Sequence, residues 1–272
     1  MSWLQKTGFR GAMGAAAFVF ALFLLAPVVA LLLTSGPGEI ARGLGHPIVG
    51  PALTVSLITT TVSLVIVLLG GTPLAWWVAR SDGRAARWID TLVQLPIVIP
   101  PAVSGIALLF AFGRRGIFGS LLDSAGLSVA FTGAAVVMAQ VFVGAPFYVQ
   151  AAAVAFRHLD RSLLAVAKTL GAQPARMFFR IALPLAAPSL IAGAAMSWAR
   201  ALGEFGATLM FAGNLQGKTQ TLPLAIYTAL ESDLGAARAL SVLLIVVAFA
   251  LLLVLRRWPR TRVPGFLLAQ DR

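Results

Sequence analysis

The chain has 272 residues, of which 59% are apolar and 11% charged, with a formal net charge of +12. Soluble domains carry about 45–50% apolar and about 25% charged residues, and one core of this length does not bury so much apolar surface, so an ordinary soluble domain is excluded and lipid is the expected solvent. The lack of cysteine excludes disulfides, thiolate nucleophiles and cysteine-ligated metals, and His46 and His158 stand far apart, outside any His/Asp/Glu cluster that would make a metal site.

A bilayer crossing takes roughly 20 apolar residues, and six stretches qualify: residues 11–33, 54–79, 91–112, 129–156, 181–203 and 234–255. The first follows Lys6 and Arg10, as a signal peptide would. It exceeds the roughly 7–15 residues of a cleavable apolar region, and no A-x-A site follows Leu33, so a retained helix is expected. Pro96 with Pro100 and Pro101 falls inside the third stretch and reads either as a packing kink or as a bend lining a path. Gly193 and Ser197, four apart in the fifth, permit close helix contact.

Orientation follows from Lys and Arg, which favour the cytoplasmic side. With the N-terminus inside, fifteen of them fall on the inner segments: Lys6 and Arg10; Arg80, Arg84 and Arg87; Arg157, Arg161, Lys168, Arg176 and Arg180; Arg256, Arg257, Arg260, Arg262 and Arg272. Five, namely Arg42, Arg114, Arg115, Lys218 and Arg238, fall outside. The excess charge is therefore topological, and no nucleic-acid partner is expected. The expected fold class is an all-α membrane protein, a single domain over residues 1–272 with both termini cytoplasmic.

The inner segment 157–184 is longer than a connection requires, and long ordered loops tend to carry function. Asp160 or Ser162 caps a first helix. Leu163, Leu164, Ala167, Leu170 and Gly171 then share one side, with Arg161 and Lys168 on another. Gly171 suits the left-handed residue that ends a helix, and Pro174 the first position of the next, whose apolar stripe is Met177, Phe178 and Ile181. An amphipathic pair outside the bilayer must bury that face against headgroups or a partner protein.

The outer segment 203–238 is the second long one. At its start Glu204 lies one turn after Arg200, and an i, i+4 ion pair spares the membrane an unpaired charge; the pair reads either as a structural bridge or as part of a path or gate. Gly213-Asn-Leu-Gln-Gly217-Lys218-Thr219 has one residue too few between its glycines for a phosphate-binding loop. Asn214, Lys218, Thr219 and Thr221 remain candidates to face an oxyanion or a docked protein from a turn rich in backbone N–H groups.

Gly171, nine residues, then Ile181-x-Leu183-Pro184 resembles the coupling motif of ABC importer permeases, E-A-A, three residues, G, nine residues, I-x-L-P. Ala167 takes the place of the second alanine, Ala165 stands where the family has glutamate, and Val166 replaces the first alanine. The GEFGATLMFAGN and GKTQTLP strings resemble the molybdate branch of the molybdate/sulfate/tungstate permeases. The resemblance implies a type I importer transmembrane domain of six helices in the bacterial inner membrane, working as a homodimer. It implies ATPase subunits seated on Ala165, Ala167, Lys168, Gly171, Pro174, Arg176, Ile181, Leu183 and Pro184, with Lys168 or Arg176 replacing the glutamate's contacts or a socket that differs. It also implies a periplasmic binding protein delivering molybdate, with sulfate, thiosulfate or tungstate as alternatives. No cofactor is expected in this chain, ATP and Mg being held by the ATPase, so the chain itself is no enzyme. A stand-alone transporter or channel is the competing class; it requires intramembrane relays, and the spans offer only Arg200 with Glu204.

Overall fold

The computed structural model describes residues 2–257. Arg260, Arg262 and Arg272 of the charge asymmetry lie outside the described residues. Within them every regular element is helical. Among the described residues five helices are long and apolar enough to cross a membrane, and one bent pair makes a sixth if its halves count as one span.

Helix α1 (Ser2–Thr34) is apolar all round from Gly11 to Leu33, and the most apolar part of that stretch is not buried against the rest of the described chain. Such a surface demands lipid or another chain. After a short α2 (Pro37–Leu44), α3 (Val49–Arg80) runs the depth of the bundle. Its hydroxyls bond back to carbonyls one turn earlier: Thr59 to Val55 at 2.7 Å, Thr60 to Ser56 at 2.6 Å and Thr72 to Leu68 at 2.6 Å. Those local bonds let a polar stripe sit inside an apolar bundle.

The third expected span is not one helix. Helices α4 (Arg84–Val98) and α5 (Pro101–Phe112) meet at 117°. Pro100 and Pro101 have no N–H to continue the ladder, and Pro100 holds extended backbone. A short α6 (Gly119–Ser124) leads to α7 (Gly133–Arg157). Helix α8 (Arg161–Thr169) and the one-turn α9 (Pro174–Met177) follow. A widened turn over Phe178–Ala182 then feeds α10 (Leu183–Leu202). The fifth span therefore begins at Pro174 rather than 181: the second helix expected of the inner loop is the first turns of that span. The outer segment holds α11 (Gly206–Ala212) and α12 (Leu222–Ser232), and α13 (Leu234–Arg257) closes the bundle.

Small residues set how closely these helices pack. A Cβ on Gly193 of α10 would lie 2.7 Å from the Ala151 Cβ of α7, and one on Gly144 of α7 would lie 3.1 Å from the Ser197 carbonyl of α10. The α3–α7–α10 core includes Val67, Ala75, Tyr148, Phe156 and Leu190. Helix α11 packs on α5 more tightly still, since a Cβ on Gly105 would stand 2.6 Å from the Ala207 carbonyl oxygen. Gly105→Leu is therefore expected to force α5 and α11 apart and lower the yield of folded protein, read by size-exclusion profile in detergent; a wild-type profile would refute the close contact.

Candidate coupling and translocation sites

Helix α8 leaves the bundle at the end marked by Arg80 and Arg157. Its first turn is held by Asp160, whose Oδ1 accepts the Ser162 N–H at 2.8 Å. That bond holds the exposed carboxyl below its ordinary 3.8. The folded-state value being depressed, the cap contributes above the ordinary value and is lost as pH falls through the folded one. Protection of the α8 amides against hydrogen exchange, taken relative to the intrinsic rate at each pH, should accordingly stay flat through neutral pH and fall only in acid below about 4; a loss of protection near neutrality would contradict the cap.

The other end of α8 closes by backbone alone. Gly171 adopts φ +78°, its N–H reaches the Lys168 carbonyl at 3.0 Å, and the Ala172 N–H reaches the Ala167 carbonyl at 3.0 Å. This is the double bond pattern of a left-handed helix stop. Pro174 opens the next helix at its first position. The chain is then anchored by Phe178, whose ring lies 5.2 Å from Trp76 and 6.1 Å from Phe156, while the Arg80 guanidinium sits 4.9 Å over Trp76. Ala182 is buried and Ile181 and Leu183 half-buried, so the I-x-L-P end of the motif is built into the bundle, with only Pro184 exposed. Nothing in the sequence announces the anchoring role of Trp76 and Phe156: they sit in other helices, and no spacing links them to Phe178.

On α8 itself the apolar side divides. Ala167 is buried and Leu164 half-buried, whereas Leu163, Val166 and Leu170 are exposed, Leu170 at 82%. Val166, the residue that replaces a motif alanine, belongs to this open patch. Ala165, Lys168 and Arg176 are exposed around it. The capped helix, joined by a short turn to a spanning helix, thus presents an open apolar patch among cations.

At the opposite end Arg200 and Glu204 do pair, Nη1 to Oε2 at 2.8 Å, with side-chain exposures of 30% and 1%. The other carboxylate oxygen accepts the Ala207 N–H at 2.8 Å, so Glu204 also satisfies the start of α11. The Gly213–Thr221 turn differs from expectation. Three of its N–H groups turn inward and are not open to a ligand: those of Lys218, Thr219 and Gln220 all converge on the Leu215 carbonyl at 2.9–3.0 Å. Thr219 is buried and its hydroxyl accepts the Leu215 N–H at 3.0 Å; Thr221 is buried as well. Asn214 donates to Thr228 at 2.9 Å and accepts from Gln220 at 2.9 Å, tying the turn to α12. Thr219 and Thr221 therefore face inward, and of the four turn residues Lys218 alone is exposed.

The family described as binding-protein-dependent transport system inner membrane component matches residues 71–261. The molybdenum transport system permease protein ModB of Mycobacterium tuberculosis is 50% identical over 72% of this chain and 75% of its own length. ModB of Escherichia coli K12 is 36% identical over 76% of this chain and 91% of its own. Among solved structures, a bacterial ABC transporter involved in the import of the acidic polysaccharide alginate superposes with a TM-score of 0.73 at 18% identity, over 93% of this chain and 95% of that one.

Proposed function

The chain belongs to the binding-protein-dependent transport inner membrane components and has the fold of a type I ABC importer transmembrane domain, and from that premise we propose that it is the permease subunit of an ATP-driven molybdate importer. The open Leu163–Val166–Leu170 patch on a helix joined to a spanning helix carries this reading; the 50% identity to a molybdenum permease supports the substrate. Two copies form the pore in the inner membrane, with both termini and α8 in the cytoplasm. Each α8 seats one ATPase subunit, which holds ATP and Mg and performs the hydrolysis. A periplasmic binding protein delivers the dianion to the outer end. ATP binding and the loaded binding protein each bias one pore equilibrium between inward- and outward-facing states, so neither acts alone. Exposed Arg114, Arg115 and Lys218 lend the outer mouth a field that attracts the anion.

Reconstitution of the chain with its ATPase and binding protein tests this. Uptake of labelled molybdate should require ATP, with sulfate failing to compete at equal concentration. Uptake by the chain alone without ATP would instead mark a channel or secondary transporter, and effective competition by sulfate would move the substrate. Lys218→Glu should lower uptake at low salt by about threefold to tenfold with no change in unfolding temperature; unchanged uptake would remove Lys218 from the mouth.

A further inference from the structure

Helix α4 presents three faces. Ala86, Asp90 and Val93 turn toward the bundle, with Asp90 paired to Arg157 at 2.8 Å. Trp88, Leu92 and Leu95 form an exposed apolar row suited to lipid. Beside it Arg84, Arg87, Thr91 and Gln94, spaced three and four apart, form an exposed polar row that turns apolar at Val98. Gln94 and Thr91 lie within the charge-free stretch 91–112, where a polar row facing hydrocarbon is costly.

The break above this row points the same way. Pro96, Pro100 and Pro101 have no N–H, so the carbonyls of Leu92, Pro96 and Ile97 lose their ordinary helical donor. Broken backbone at membrane depth is tolerated where it is buried in protein or lines water, and Pro100 is exposed. Beside Arg87, toward the bundle face of α4, a cavity of about 360 Å³ opens between Ser81, Asp82, Ala86, Asp90 and Arg157.

We propose that the Gln94–Thr91–Arg87–Arg84 row lines the inner half of the water-filled path, facing the second copy of the chain, and that it leads a tetrahedral dianion from an amide donor to two guanidinium groups on the ATPase side. This rests on the permease reading above. The rising positive charge draws the anion inward, while Thr91, whose hydroxyl already bonds the Arg87 carbonyl at 3.0 Å, adds a small polar surface without trapping the ion.

Because the chain has no cysteine, single substitutions report directly. In the reconstituted complex with its ATPase, Thr91→Cys and Gln94→Cys should react with a negatively charged, membrane-impermeant thiol reagent about tenfold or more faster than Leu92→Cys and Leu95→Cys, since only thiols in contact with water ionise and react readily. Equal rates at the four positions, or faster reaction on the apolar row, would overturn the proposal. Arg87→Glu should slow ATP-dependent molybdate uptake about tenfold, with Arg87→Lys within about twofold of wild type; uptake by Arg87→Glu equal to wild type would likewise overturn it. The two readings separate cleanly, because a wild-type complex that takes up no molybdate refutes the permease reading, whereas thiol accessibility is read without any transport.

Discussion

Gly171→Pro is expected to abolish recovery of the ATPase with the permease while leaving the permease itself folded. Gly171 holds φ +78°, and proline is locked near −65°. Proline would also delete the N–H that reaches the Lys168 carbonyl and push Leu170 out of helical geometry. Nothing lies within 4 Å of where a Cβ would stand, so the defect would come from backbone conformation and not from collision. That isolates the cause. Gly171→Ala should cost about 1 kcal/mol and weaken assembly in proportion, whereas Gly171→Asn, a residue that tolerates the left-handed region, should assemble nearly as wild type. Co-purification on an affinity-tagged ATPase reads all three. Full recovery of the Gly171→Pro complex would mean that the α8 turn is not the socket.

Glu204→Ala should be the most destabilising single change at the outer end. It strands the Arg200 guanidinium beside a buried position and removes the acceptor of the Ala207 N–H at once. Breaking one side of a fully buried pair costs about 3–5 kcal/mol; with the Arg200 side chain 30% exposed, the loss here should fall at or below the lower end of that range. Glu204→Gln keeps an acceptor for Ala207 and should lose less. Replacing both partners by Met should recover much of the loss, because the uncompensated charge goes with them. Thermal unfolding in detergent decides between the alternatives: a Glu204→Ala protein as stable as wild type would show that the pair is not a structural bridge.

Where the residues themselves dictate local backbone, sequence and structure coincide. Asp160, Gly171 and Pro174 mark the boundaries of α8 and of the following helix because capping, left-handed φ and a missing N–H are properties of single residues. The charge-free runs likewise mark helices, since lipid imposes the same demand on every span. What the sequence hid was tertiary. Pro96, Pro100 and Pro101 announce a break, but its 117° angle is bound up with the packing of α5 on α11 through Gly105 and Gly206. The apolar stripe of Met177, Phe178 and Ile181 reads the same in an amphipathic surface helix and in the entry turns of a span. The contacts of Phe178 with Trp76 and Phe156 distinguish them. Thr219 and Thr221 read as residues of an outer turn; the fold buries both and gathers the N–H groups of Lys218, Thr219 and Gln220 on the Leu215 carbonyl.

If α8 lies in the cytoplasm and holds a nucleotide-driven motor, its first turn is reachable from that side alone. Ser162→Cys, an isosteric change on an exposed first-turn residue, places a unique thiol there. In membranes of both orientations containing the ATPase, an impermeant maleimide should label it only from the cytoplasmic face, and a short bifunctional reagent should join it to the ATPase. Labelling from the periplasmic face would contradict both the topology and the transport function built on it.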